Sequence, residues 1–287
     1  MNINAYFQLT KPKIAVLLLI STIAGMMGAW AGKGPVPWEI WFSVLIGGYL
    51  CSGGASSMNC YLDRELDMAM KRTQNRPLPA GRMKPRNALV FSVVFSALSI
   101  PFFLNVSVLV TALGLIAWIY YVVFYSMFLK KRTPQNIVVG GAAGAFPPLI
   151  GWVAITGGID LSSIFLFLII FFWTPPHAYA LMLVLKDDYK KAMIPMMPVV
   201  KGEKETVRQI IIYSVVFLII TIIPAAIGLF GIIYLCTAIV LGSILLGLSI
   251  KLFYSLDNKL AYRLYRYSTI QLALLFVGLV IDRSIVV

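Results

Sequence analysis

The sequence predicts an all-α integral membrane protein that crosses the bilayer about nine times, and three observations carry that reading. Sixty per cent of the 287 residues are apolar and 12% are charged, against roughly 45–50% and 25% in soluble domains. The apolar residues fall in runs close to the ~20 that one helical crossing needs. The basic residues gather in alternate connections between those runs, as the positive-inside bias requires.

The runs place spans at about 14–31, 38–60, 87–104, 107–128, 136–156, 162–185, 209–230, 231–250 and 267–283. Spans three and four are parted only by "LNVS". Spans seven and eight meet near "GLFG", where a single long helix is the competing parse. Of the 24 Lys and Arg residues, 22 fall on one side of this arrangement. Only Lys33 and Arg283 fall on the other. The N-terminus is therefore expected inside and the C-terminus outside. One transmembrane domain over 1–287 is expected, with charged loops at about 61–86 and 186–208.

The net charge of +13 suits contact with anionic lipid headgroups in such a protein, and no nucleic-acid partner is expected. Cys51, Cys60 and Cys236 show no close pairing, so neither a disulfide framework nor a zinc site is indicated. His177 is the only histidine, which excludes a multi-histidine metal site within one chain. The start, "MNINAYFQLTKPK", is polar and leads straight into a span, so no cleavable signal is expected.

The densest charge lies in "NCYLDRELDMAMKRTQNRPLP", between two apolar runs. Asn59, Asp63 and Asp67 are spaced i, i+4, i+8, which on a helix gives one polar strip roughly 12 Å long. Carboxylates held this way are hard ligands for Mg²⁺, which takes one or two of them and completes its shell with water and phosphate oxygens. The Asn59 amide offers a further oxygen ligand or a hydrogen bond. Lys71, Arg72 and Arg76 follow, and guanidinium forks suit phosphate oxygens. Metal-binding acids followed by phosphate-binding bases describe a diphosphate site. A plain charged loop obeying the positive-inside bias is the alternative.

The second charged segment carries Asp187 and Asp188, then Lys190 and Lys191, then Pro195 and Pro198. It reads either as a second carboxylate cluster under a lid or as a solvated loop. His177 lies upstream in an apolar run, after Pro175 and Pro176. An ionisable residue inside a span is a functional candidate. Its options are an axial ligand to iron, a general base, or a hydrogen-bond partner at a helix kink. "YYVVFYSMFLKKRTPQN" adds Tyr121, Tyr125, Lys130, Lys131, Arg132 and Asn136, and "QLTKPK" adds Gln8, Thr10, Lys11 and Lys13, all on the basic side. Aromatic faces there can stabilise a cation.

With these residues in view, Asn59-x3-Asp63-x3-Asp67 resembles the first Asp-rich motif of the UbiA-type intramembrane prenyltransferases. Met70, Arg72, Thr73, Arg76, Pro77 and Leu78 match the M-x-R-T-x-x-R-P-L run of its haem-farnesylating branch, the protohaem IX farnesyltransferases. "LTKPK", "KRTPQNIVVGGAAGAFPPLIGW", "WTPPH" and "DDYKKAMIPMMPVV" resemble that branch too, so the likeness runs from about Leu9 to Val200.

The resemblance implies nine helices around a central cavity open to lipid, in the cytoplasmic membrane of a prokaryote. It implies farnesyl transfer from farnesyl diphosphate to a vinyl group of haem b, with addition of water, giving haem O and diphosphate. Mg²⁺ would sit on Asn59, Asp63 and Asp67, with Asp188 at a second site. Arg72 and Arg76 would clamp the leaving group. Lys71, Lys130, Arg132, Asn136, Tyr125, Lys190, Asp187, Asp188 and His177 are the substrate-binding expectations. Contact with haem A synthase or a terminal oxidase assembly is a further expectation.

Two departures stand out. The wider family carries more acids in its second motif, whereas this chain has adjacent Asp187 and Asp188 with Ala192 where a later acid is expected. Met193 stands where the branch usually has glycine. The rival readings are a prenyltransferase acting on an aromatic or quinone-precursor acceptor and, from another class, a transporter or lipid-binding protein.

Overall fold

The computed structural model describes residues 3–30, 35–130 and 132–285. Lys33, expected outside, and Lys131 lie beyond the described residues. Every regular element among the described residues is a helix. In order they are α1 (Ile3–Leu9), α2 (Pro12–Trp30), α3 (Trp38–Leu62), α4 (Arg64–Ala69), α5 (Pro85–Ala97), α6 (Ser99–Leu104) and α7 (Val108–Ile119). A π-helical segment, Tyr120–Leu129, continues α7. There follow α8 (Asn136–Gly140), α9 (Ala142–Thr156), α10 (Leu161–Val184), α11 (Lys186–Lys191), α12 (Met197–Val200), α13 (Glu203–Ala226), α14 (Ile232–Ser255) and α15 (Asn258–Ile285). In hydrocarbon only a helix or closed barrel satisfies every backbone group.

Eight of these stretches are long and apolar enough to cross a bilayer: 12–30, 85–104, 108–129, 136–156, 161–184, 203–226, 232–255 and 258–285. The 25-residue α3 is long enough for a ninth but less apolar, its middle, "GGYLCSGGASS", being rich in small residues. The chain is a multi-pass membrane protein. The expected break between spans seven and eight is present, with α13 ending at Ala226 and α14 starting at Ile232. The last span begins nine residues earlier than the hydropathy run suggested, so Lys259, Arg263 and Arg266 belong to the first turns of α15 rather than to a loop. A helix with basic residues on one face lowers local hydropathy without losing its helical bonds.

Lipid tails are as apolar as leucine, so these helices are held by close packing rather than by escape from water. Small residues permit that closeness. A methyl group built on Gly25 of α2 would stand 2.2 Å from the Pro148 carbonyl oxygen, and one on Gly151 of α9 would stand 2.2 Å from that of Thr22. The two backbones touch at reciprocal glycines, so either Cβ would force them apart. Gly54 plays the same part between α3 and α5, where its Cβ would meet Ser96 Oγ at 2.1 Å. Small residues in α3 thus lower its hydropathy and also let it pack.

Between α2, α3, α7 and α9 lies an apolar cavity of about 200 Å³. Leu18, Val44, Phe103 and Ile150 line its depth, and Lys11 and Tyr121 stand among its polar lining. An engineered cavity of about 150 Å³ admits benzene.

Candidate active site

Asp63 is where α3 ends and α4 begins. The i, i+4 backbone bonds run on through it: Asp63 N–H donates to Asn59 O at 2.9 Å and Asp67 N–H to Asp63 O at 2.8 Å. Asn59, Asp63 and Asp67 therefore follow one helical course, as their spacing predicts. All three are buried, at 4%, 1% and 1% exposure.

Buried carboxylates need partners. Asn59 Nδ2 donates to Asp63 Oδ2 at 2.8 Å and to Ser126 Oγ at 3.1 Å. Lys11 Nζ donates to Asn59 Oδ1 at 2.7 Å. Lys130 pairs with Asp63 Oδ2, and Arg76 Nη1 donates to Asp67 Oδ2 at 2.6 Å. Thr73 Oγ1 donates to the Asp67 carbonyl at 3.0 Å, folding the "KRTQNRP" turn back under α4. Arg82 closes that turn through the Asn75 carbonyl at 2.5 Å and ties it to α1 through Gln8 Oε1 at 3.0 Å.

The π-helical winding delivers the partners from the other side. Lys130 N–H donates to Tyr125 O and Ser126 Oγ donates to Tyr121 O, both five residues back. The wider winding turns Ser126 towards Asn59 and Lys130 towards Asp63. Such segments are frequent at functional sites. Tyr121 and Tyr125 stack at 5.7 Å, and Tyr125 lies against Gly140, where a Cβ would meet its ring at 2.2 Å.

The two acids hold their cations differently. Burial opposes the Arg76 charge, but Asp67 beside it outweighs that and raises the pKa of the guanidinium. At Lys130 burial outweighs the attraction of Asp63, and the pKa of the ammonium is lowered.

Asp67 Oδ1 is buried without a hydrogen-bond partner among the described residues. A hard oxygen donor left over beside a second carboxylate fits a divalent cation that completes its shell with phosphate oxygens. No group of three His, Cys, Asp or Glu suited to a metal occurs among the described residues, so Asp188 does not join Asp63 and Asp67 in one cluster. The Asn59 side-chain oxygen accepts from Lys11, just before α2, so that amide also braces the acid against the turn between α1 and α2.

The second segment reaches the site through another residue. Asp187 and Lys190 of α11 are exposed, whereas Tyr189 between them is buried and hydrogen-bonded to Arg72. Burial raises the pKa of the Tyr189 phenol, with Arg72 and Arg76 opposing. Sequence reasoning fixed on the acids and missed Tyr189; its signal was a lone aromatic inside "KDDYKK". Lys11 was noted on the right side but not placed against Asn59. Lys71 is exposed, and Arg132, also exposed, lies over the Phe128 ring at 5.3 Å. Asn136 is fully buried and donates to the Thr133 carbonyl at 2.7 Å, with its Oδ1 unpartnered. His177 stands apart from the cavity lining, on the α10 face that meets α15.

The pattern of the UbiA prenyltransferase family matches residues 18–275. The protein called "Protoheme IX farnesyltransferase" of Roseiflexus castenholzii is 43% identical over 282 residues, 98% of this chain and 52% of that protein. One of the same name from Gloeothece citriformis is 43% identical over 288 residues, covering 98% and 87%. The chain thus spans about half the length of the first of these relatives and most of the second. A solved UbiA homolog from Archaeoglobus fulgidus bound to GPP and Mg²⁺ superposes with a TM-score of 0.66 at 15% identity, over 96% of this chain and 99% of that one.

Proposed function

Because the chain belongs to the UbiA prenyltransferase family, we propose that it transfers a farnesyl group from farnesyl diphosphate to a vinyl group of haem b, with addition of water, giving haem O and diphosphate. The observation that carries this reading is the pair of buried carboxylates one helical turn apart, backed by cations. It lies beside an apolar cavity that Lys11 also lines. Relatives of the same name at 43% identity support the acceptor.

Asp63 and Asp67 would hold Mg²⁺, with the free Asp67 Oδ1 as one ligand. When bound, the ion supplies positive charge against the diphosphate that builds up as the allylic C–O bond breaks. The other work falls to side chains. Arg76, Arg72, Lys130 and Lys11 gather positive charge where the leaving group separates, and such charge acts strongly in a site that excludes water. Tyr189 holds Arg72 in place through its phenol. The apolar walls take the prenyl chain, and each buried CH₂ contributes about 0.8 kcal/mol. The stacked rings of Tyr121 and Tyr125 offer π faces to an allylic cation. The N-terminus and this charged end would face the cytoplasm, with the C-terminus outside, as the basic residues direct.

The test is to incubate purified protein with haem b, farnesyl diphosphate and Mg²⁺ and to follow haem O by mass and diphosphate release. Both products are expected, and both should vanish with a chelator. Diphosphate release without haem O would point to another acceptor. Neither product would overturn the reading.

A further inference from the structure

Resting on the reading that the apolar cavity takes the prenyl chain, we infer that Phe103 is the stop that sets chain length, admitting a farnesyl group and turning away longer ones. The cavity has a polar end and an apolar end. At the polar end Lys11 lines it and donates to Asn59 Oδ1 at 2.7 Å, which joins it to the acid strip. At the far end Val44, Phe103 and Ile150 line it. Val110, Leu113 and Val153 are buried with these three in one apolar cluster that backs this end.

Phe103 stands on α6, and its ring is gripped by both edges. A methyl group built on Gly47 of α3 would stand 2.8 Å from ring atoms Cδ1 and Cε1. One built on Gly114 of α7 would stand 2.5 Å from Cε2 and 2.9 Å from Cδ2, on the opposite edge. Two helices thus give up their side chains to seat one ring. Cys51 braces the socket, its Sγ donating to the Gly114 carbonyl at 3.6 Å. A ring held on opposite edges does not retract when a ligand presses on it, because interiors packed this closely yield little. A ring that only wedged α3 from α7 would need the two glycines but no face on the cavity, and Phe103 has both.

The depth fits one chain. On α3 the lining runs from Ser56 to Val44, twelve residues or about 18 Å of helix. A contact distance of about 4 Å at the far end leaves roughly 14 Å. From Ser56 on to Asp63 is a further seven residues, about 10 Å in which the diphosphate would lie. An extended carbon chain advances about 1.2 Å per bond. The eleven main-chain bonds of a farnesyl group therefore reach about 13 Å. A geranylgeranyl group reaches about 18 Å and would run into the Phe103 ring. A geranyl group reaches about 8 Å and would leave the far end unfilled.

The experiment offers the purified full chain an equal mixture of geranyl, farnesyl and geranylgeranyl diphosphates with haem b and Mg²⁺, and weighs the prenylated haems. In parallel, displacement of labelled farnesyl diphosphate by each of the others, without haem, reads binding alone. Wild type is expected to prefer farnesyl to geranylgeranyl roughly 10–100-fold in both assays, the scale on which a packed pocket rejects added carbons. Phe103→Ala should bring that ratio to within about threefold. Phe103→Leu, which keeps more of the packing, should move it the same way by less. Gly48 also lines the cavity, and a Cβ there would meet Leu19 Cδ2 at 3.3 Å. Gly48→Leu should therefore fill the far half and shift the preference to geranyl. Each ratio is taken within one preparation, so a loss of folded protein does not mimic the effect. The wild-type ratio retained by both Phe103 variants would overturn the proposal, and so would a wild type indifferent to chain length. A farnesyl preference in binding that Phe103→Ala removes, with no prenylated haem formed, would refute the proposed reaction and leave Phe103 as the stop.

Discussion

Two places in this protein bury a carboxylate, and they are built in opposite ways. At the basic end Asp63 and Asp67 face side-chain cations, and one oxygen of Asp67 has no partner among the described residues. At the other end of the bundle Asp282, at 0% exposure, faces backbone. Its Oδ2 accepts from Gly231 N–H at 2.5 Å, and its Oδ1 from Ile233 and Tyr234 N–H at 3.1 and 3.3 Å. These are the orphan donors of the α14 N-terminus, so α15 supplies the cap that α14 lacks locally. A Cβ on Gly231 would meet Asp282 Oδ1 at 2.6 Å, which leaves room there for glycine alone. A carboxylate saturated by its own fold is structural. One held by side-chain cations, with an oxygen to spare, is ready for a ligand.

The largest expected effect is on the unsaturated side. Asp67→Asn should leave the protein inserted and folded while haem O formation falls by about 10²–10³-fold, the scale on which one charge-stabilising group acts. Retention of a tenth of the wild-type rate would break the contrast. Lys130→Met should strand Asp63 as a buried unpaired charge and cost about 3–5 kcal/mol of stability. Adding Asp63→Asn should recover most of that stability and none of the activity, read by thermal unfolding in detergent beside the farnesylation assay. On the saturated side, Asp282→Ala should lose about 1–3 kcal/mol by leaving buried amides unpaired, with activity per folded molecule within twofold. Inactive but fully stable protein would make Asp282 functional instead. The smallest effect is expected at Met193, which holds a left-handed backbone at φ 51 and is 90% exposed. Glycine adopts that conformation without a steric cost, whereas a side chain does not. Met193→Gly should relieve up to about 1 kcal/mol, partly offset by glycine's greater freedom when unfolded. Slower proteolysis of the 192–196 turn, with unchanged activity, would register it.

The acid motif was legible because helical spacing survives in the sequence. Asn59, Asp63 and Asp67 stand where i, i+4, i+8 puts them, and α3 begins and ends within two residues of the run that predicted it. The partners were less legible. Lys11 reaches Asn59 across 48 residues and Lys130 reaches Asp63 across 67, and nothing local marks either choice. Arg76 reads in the sequence as a phosphate clamp and Lys130 as a substrate-binding residue, and each is also the counter-ion of an acid. Tyr189 was hidden by the acids beside it, because carboxylates signal chemistry in a sequence while a tyrosine signals packing. The last helix was read short, since basic residues on one face lowered its hydropathy without altering its helical bonds.

The sequence by itself determined the class of fold, the approximate number of crossings, the polar strip on α3 and the side on which charge collects. Those follow from hydropathy, helical periodicity and charge bias, which are properties of neighbouring residues. Only the tertiary structure decided which cation meets which acid, that Asp67 keeps a free oxygen while Asp282 keeps none, and that His177 meets Ser268 of the last helix. Each of these depends on donors delivered from distant helices, and their positions are set by close packing at points such as Gly25, Gly54 and Gly151.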